Sequence, residues 1–236
     1  MPLIIGVAGA IATGKSSACK ILERHGAVHC DADKLVHTLY EPGKPAFDRI
    51  VEAFGDDVVG ADGLIDRRIL GAKVFGKPAE MKRLGKAIGN IREAVDVVVD
   101  AWNATMSKAD VAILEAVSLI EAGYGEFCHQ VWLFATRDQD LARQRLMSRN
   151  NFTAAEADQR LASQRPWQER EPASDVVLFN DGDLATLDQQ TLDTFHRTHQ
   201  AWMAGALPRS KYYDWWETVG RARREAAEQE RERSTS

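Results

Sequence analysis

Three scarcities narrow what this chain can be. Only three cysteines occur in 236 residues, Cys19, Cys30 and Cys128. None forms a CxxC pair, and an odd number cannot all be bridged within one chain, so the pattern argues against a disulfide scaffold or a cysteine-held metal and for reduced thiols in the cytoplasm. Positive charge is not in excess: the formal net charge is −5, so no general field draws in nucleic acid or anionic lipid and any anion site must be local. The small basic patch Arg221-Ala222-Arg223-Arg224 is crowded by acidic residues from Glu225 onward. Long apolar runs are also missing. The run over 2–12 has no basic leader and is too short to span a bilayer. It reads as a buried strand, and neither nucleic acid nor a membrane is expected as a partner.

What is present fits a globular chain long enough to bury a core, with 44% apolar residues. Leu3-Ile4-Ile5-Gly6-Val7-Ala8 predicts a central parallel strand covered on both faces. A helix follows over 15–25, a second strand over 27–30, and a helix over 31–40 with Asp31 or Asp33 at its start. Turns at Glu41-Pro42-Gly43 and Asp62-Gly63 punctuate a stretch over 41–103 that reads as helix without a convincing strand. Strands resume at Val111-Ala112-Ile113-Leu114, with Glu115 just beyond, and at Gln130-Val131-Trp132-Leu133-Phe134-Ala135. A helix over 138–149 and another begun by the capping box Thr153-Ala154-Ala155-Glu156 and ending near Gln164 have the form of a lid. A fifth strand over 175–179 is closed by Asn180-Asp181-Gly182, and helix returns over 184–199. This alternation predicts an α/β fold with a five-stranded parallel sheet between helical layers. The domains expected are a core from 1–40 and 104–206 with the lid at about 138–165, a helical insertion over 41–103, and a tail over 207–236. From 212 to 236 the tail reads as a solvated helix with a frayed end, though Trp202, Trp215 and Trp216 suggest packing against the body or a second subunit. The chain is expected to be a monomer or a small homo-oligomer.

The chemistry is carried by Gly9-Ala10-Ile11-Ala12-Thr13-Gly14-Lys15-Ser16, which fits GxxxxGK[ST] directly after a strand and before a helix. The glycines permit the turn, and main-chain amides from Gly9 through Ser17 at the helix start face the phosphates of ATP. Lys15 neutralises the β and γ phosphates, and Ser16 ligates Mg2+. Asp33, just past the second strand, is the candidate to hold the attacking hydroxyl and accept its proton, with Asp31 as helix cap or behind the magnesium. Glu115, at the end of the third strand, is the candidate to hold water on Mg2+. Arg145 and Arg149 lie one helical turn apart, followed by Arg160 and Arg165, and suit the charge spread over a transferring phosphoryl group.

These stretches resemble dephospho-coenzyme A kinase over about 1–198. The likeness is carried by Gly6-Val7-Ala8-Gly9 through Ser17, Asp31-Ala32-Asp33-Lys34-Leu35-Val36, Pro42-Gly43, Phe54-Gly55, and Asp62-Gly63 with Asp66-Arg67-Arg68-Ile69-Leu70. Val74-Phe75, Leu119-Ile120-Glu121-Ala122-Gly123, Arg145-Leu146-Met147-Ser148-Arg149, the Arg160 and Gln164 pair, and Ala173-Ser174-Asp175 leading to Asn180-Asp181-Gly182 extend it. The resemblance implies a P-loop kinase fold and transfer of the γ-phosphoryl of ATP to the ribose 3′-hydroxyl of dephospho-coenzyme A. It implies acceptor contacts at Asp33, Glu121 and Arg67 or Arg68, nucleotide contact at Asn180, and lid arginines at Arg145 and Arg149. The chain departs from the family's pattern at Ala10 and Ala12, where glycines are usual, at Gly89-Asn90 in place of His-Pro, at Val117-Ser118-Leu119-Ile120 before Glu121, and at Glu115 in place of aspartate. Alanine at 10 or 12 costs little provided that φ stays negative there. A kinase of another nucleotide or small alcohol, or a non-catalytic nucleotide binder, would share the scaffold.

Overall fold

The computed structural model describes residues 1–233. Its sheet holds five parallel strands in the order β2-β3-β1-β4-β5: β1 (Leu3–Gly9), β2 (Val28–Asp31), β3 (Val111–Glu115), β4 (Gln130–Ala135) and β5 (Val176–Phe179). Asp31 and Glu115 are thus the last residues of their strands rather than the first beyond them. β1 lies in the middle, paired with β3 from Leu3↔Val111 to Val7↔Glu115 and with β4 from Ile5↔Gln130 to Gly9↔Phe134. Every residue of β1 is buried, which is why it is apolar throughout instead of alternating. The chain adds β2 and β3 on one side of β1 and then β4 and β5 on the other. The carboxyl end of β1 is therefore where strand order reverses, the place at which such sheets hold ligands.

The helices in chain order are α1 (Lys15–Arg24), α2 (Ala32–Thr38), α3 (Pro45–Phe54), α4 (Arg67–Val74), α5 (Pro78–Ile88), α6 (Ile91–Thr105), α7 (Gln139–Asn150), α8 (Ala154–Ala162), α9 (Trp167–Arg170), α10 (Leu184–Met203), α11 (Lys211–Trp215) and α12 (Arg221–Arg233). The chain forms two compact units, one from Met1–Asp31 and Ala101–Glu230, the other built on Ala32–Asp100. The boundary after Asp31 puts Asp33 in the second unit, in the first turn of α2.

In the first unit, Leu3, Ile5 and Val7 of β1 join Ile113, Trp132, Phe134 and Leu178 from the neighbouring strands, packed against Ala18, Cys19 and Leu22 of α1 and Leu187 and Phe195 of α10. On the opposite face a Cβ at Gly6 would lie 2.8 Å from Cys128 Sγ and 3.2 Å from the Leu119 methyls, so any side chain there would push the 116–128 segment off the sheet.

The solvated tail expected from 212 onward is corrected at its beginning. Tyr212 is fully buried and its hydroxyl donates to Ile120 O at 3.0 Å, while the Tyr213 hydroxyl donates to Cys128 O at 3.1 Å. Asp175 fastens the start of α11, accepting from Ser210 Oγ at 2.6 Å and Lys211 N at 2.8 Å. Trp216 is also buried, one helical turn after Tyr212, in a widened turn over Trp216–Gly220. The burial of Trp216 fits the packing that its tryptophan suggested, whereas the density of Arg and Glu nearby masks Tyr212, its partner at spacing i, i+4. The exposed residues of α12 do match a solvated helix, and the frayed end expected at 234–236 lies outside the described residues. Tyr212→Ala should cost about 3–5 kcal/mol, the range for emptying a buried aromatic site, read as a fall in Tm of about 10 °C.

The second unit has its own core of Tyr40, Ala46, Ile50, Phe54, Val58, Ile65, Leu70, Val74 and Ala87. Helices dominate it, and an isolated bridge joins Val59 to Ile65. Asp66 opens α4 by accepting from the Arg68 amide at 2.8 Å and the Ile69 amide at 3.1 Å, which sets Arg67 and Arg68 in the first turn. Those two amides hold the Asp66 carboxyl below its ordinary pKa. No helix among the described residues is long and apolar enough to cross a membrane.

Candidate active site

The loop between β1 and α1 keeps its shape through close approaches that only glycine allows. A Cβ at Gly9, where φ is 148°, would lie 2.3 Å from the carbonyl oxygen of Phe134, and one at Gly14, where φ is 93°, would lie 2.4 Å from Asn180 Nδ2. Among the described residues no side chain caps the start of α1, so its first amides are left for an anion, aided by the helix dipole. The loop's carbonyls are tied back. Thr13 Oγ1 donates to Ala10 O at 2.8 Å, Lys15 Nζ donates to the same oxygen at 2.9 Å, and Asn180 Nδ2 donates to Thr13 O at 3.2 Å. On the outer side the Ile11 amide donates to Gln164 Oε1 at 2.8 Å, joining the end of the α8 segment to the loop.

Behind Lys15 a chain of polar side chains runs into the sheet. Ser16 Oγ donates to Glu115 Oε1 at 2.9 Å, and His29 Nε2 lies 3.1 Å from Glu115 Oε2. Burial alone pushes the Glu115 carboxyl up, but the hydrogen bonds from His29 and Ser16 and the Lys15 charge outweigh it and hold the group below its ordinary value. For His29 burial pulls the imidazole down, and the bond to Glu115 with the charges of Glu115, Glu23 and Asp31 raises it overall. Cys19, fully buried beneath them, is pushed far up by burial and then by Glu115, so it stands as a thiol.

Beside the loop a cavity of about 360 Å³ opens between Ala12, Gly14, Asn180, Arg145 and Arg149. Its far wall is braced by Arg145, whose Nη1 donates to Asn180 O at 2.7 Å and whose Nη2 donates to Asn180 Oδ1 at 3.1 Å and Gly182 O at 2.9 Å. Among the described residues Arg149 is tied locally, its Nε donating to Asn150 Oδ1 at 3.0 Å. Arg160 covers the Phe152 ring and Arg165 pairs with Glu169 at 3.2 Å, so neither guanidinium lines this cavity. Glu121 Oε1 accepts from Arg170 Nε at 2.7 Å, and both Glu121 Oε2 and Arg170 Nη1 are buried with no hydrogen-bond partner among the described residues.

A family model described as dephospho-CoA kinase matches residues 3–186. A dephospho-CoA kinase of Streptococcus agalactiae is 35% identical over 201 residues, covering 84% of this chain and 100% of that protein, and one of Streptococcus pyogenes is 35% identical over 188 residues, covering 80% and 94%. The chain belongs to the dephospho-CoA kinase family. Among solved structures, one from Thermus thermophilus superposes with a TM-score of 0.66 at 26% identity, covering 83% of this chain and 97% of its own. A dephospho-CoA kinase from Campylobacter jejuni shares the fold at a TM-score of 0.64 and 23% identity, covering 85% and 99%.

The family match takes in Lys15, Ser16, Asp33, Glu115, Arg145, Arg149 and Asn180, but the buried Tyr212 and Trp216 lie beyond it. Of the expected residues, the loop, Ser16, Glu115, Asn180, Arg145 and Arg149 gather in the first unit, and Asp33, Arg67 and Arg68 lie in the second. His29, Gln164 and Arg170 were not expected to take part. The available signal for His29 was its place two residues before Asp31 on one strand face.

One departure from the family's pattern carries a backbone cost. Ala12 has φ of 64°, so the glycine usual there is replaced where the backbone is left-handed, while Ala10 keeps a negative φ. Such a conformation costs an alanine about 1–2 kcal/mol. Ala12→Gly should therefore raise stability by about 1 kcal/mol, a gain of about 2–4 °C in Tm, without weakening ATP binding.

Proposed function

We propose that this chain transfers the γ-phosphoryl of ATP to the ribose 3′-hydroxyl of dephospho-coenzyme A, giving coenzyme A and ADP. The match to the family over 3–186, with a phosphate loop whose uncapped helix start and buried lysine suit a triphosphate, carries this reading. Amides from Gly9 through Ser17 hold the phosphate oxygens, and the base sits beside Asn180. Lys15 leaves Ala10 O for the β and γ phosphates. Ser16 and Glu115 fit a hard cation, one hydroxyl and one ionised carboxylate joined at 2.9 Å, and would hold Mg2+ directly and through water. Bound there with ATP, magnesium supplies charge neutralisation on the phosphate oxygens.

Asp33 orients the acceptor hydroxyl and takes its proton, with Arg67 and Arg68 holding acceptor phosphates. Arg149 spreads charge on the transferring group, whereas Arg145, engaged by the carbonyls of the 180–182 turn, positions Asn180. Glu121 serves the acceptor through Arg170. Three free cysteines suit a cytoplasmic setting. The test is ADP release with magnesium and ATP across a panel of acceptors. Turnover with dephospho-coenzyme A and a product of coenzyme A mass are expected; turnover with a different alcohol alone would overturn the substrate.

A further inference from the structure

Cys19 from α1, His29 from β2 and Glu115 from β3 meet beneath Ser16, with one ligand atom from each lying within 4.8 Å of the others. Zinc–ligand bonds of about 2.0–2.3 Å make the edges of a tetrahedral site about 3.3–3.8 Å. A contraction of about an ångström closes the set around an ion. The His29 and Glu115 atoms are already 3.1 Å apart. A second observation comes from the other side of the imidazole: Glu23 Oε1 lies 3.4 Å from His29 Nδ1. Carboxylate behind histidine, with the opposite nitrogen facing a site, is the arrangement that orients metal-bound imidazoles. Glu23 stands one turn after Cys19 on α1, so the same helix supplies both the thiol and that outer carboxylate.

We propose that Cys19, His29 and Glu115 form a binding site for a borderline-soft divalent cation of the zinc type, and that filling it neutralises the Glu115 carboxylate that Ser16 bonds. Sulfur with imidazole selects against magnesium and for zinc or cobalt. On binding, the Cys19 S–H bond breaks and its proton leaves to solvent while the sulfur pair forms the metal bond. The proton that His29 Nε2 shares with Glu115 likewise leaves to solvent, and the neutral imidazole binds through Nε2 while keeping a proton on Nδ1 toward Glu23. Glu115 Oε1 accepts from Ser16 and Oε2 faces His29, so a cation held on the His29 side neutralises the carboxylate and competes with its service to magnesium-bearing ATP. That coupling rests on the phosphotransfer reading above; the binding itself does not.

The test titrates Co2+, then Zn2+, into the full chain without ATP, magnesium or acceptor. One equivalent of Co2+ should raise a thiolate-to-cobalt charge-transfer band with four-coordinate visible absorption, and Zn2+ should remove it. Cys19→Ser should lose the band, and Cys30→Ala should keep it. Glu23→Gln, a partly exposed position that leaves the core alone, should weaken Zn2+ binding about tenfold to a hundredfold. No band in the unaltered protein, a band that survives Cys19→Ser, or an affinity unmoved by Glu23→Gln overturns the site. In excess magnesium, stoichiometric Zn2+ should slow phosphotransfer at least about tenfold, and Cys19→Ala should remove that sensitivity. Undiminished turnover with the site filled overturns the link to Glu115. Cobalt binding in a protein that phosphorylates no acceptor would leave the site standing and sink the proposed function instead.

Discussion

Lys15→Ala lowers kcat for phosphotransfer to dephospho-coenzyme A by about three orders of magnitude or more, with Tm nearly unchanged. The ammonium is almost fully buried and touches Ala10 O, so its charge is delivered in a site from which water is largely excluded. Charge aimed at phosphate oxygens there is worth far more than on a surface, and it matters most when negative charge is redistributed between the β and γ positions. The fold survives because Glu115, the nearest buried anion, keeps its bonds to Ser16 and His29 and is not orphaned. Single-turnover rates with labelled ATP, paired with thermal unfolding, separate the two effects. An active Lys15→Ala would remove the phosphate loop from the mechanism.

Asp33→Asn lowers kcat on the order of a hundredfold to ten thousandfold, the usual range for a positioned general base, and leaves the KM for ATP nearly unaltered. The amide keeps the shape and the ability to hold a hydroxyl but cannot take its proton. The residue lies in the first turn of α2, outside the phosphate loop and the 360 Å³ cavity, so nucleotide affinity has no reason to change. A variant that loses ATP affinity instead, with kcat intact at saturation, would show Asp33 to be a nucleotide ligand and not the base.

Much of the fold is legible because its signals are local. β1 is apolar throughout since strands cover both its edges and packing covers both its faces, and the capping box at Thr153 and Glu156 forms as the spacing requires. The phosphate loop is legible because two glycines and a lysine are demanded by backbone geometry and charge. The rest depends on pairings between distant segments. Nothing in the spacing of Cys19, His29 and Glu115 brings them together; parallel pairing of β2 with β3, Asp31 opposite Glu115, does. Ala12 reads as innocuous until its φ is known. Arg145 and Arg149 read as equivalent from spacing, yet one guanidinium is taken up by backbone carbonyls and the other is not. The tail misleads at Tyr212, where the surrounding Arg and Glu hide an aromatic that is buried beside Trp216.

The buried Tyr212 bears on how the molecule can be shortened. A version trimmed to 3–186, the span of the family match, would lack the side chain that lies against Gly125 and bonds Ile120. Its 119–128 stretch would be left without a cover and prone to self-association, so the smallest well-behaved fragment of this protein runs past Trp216.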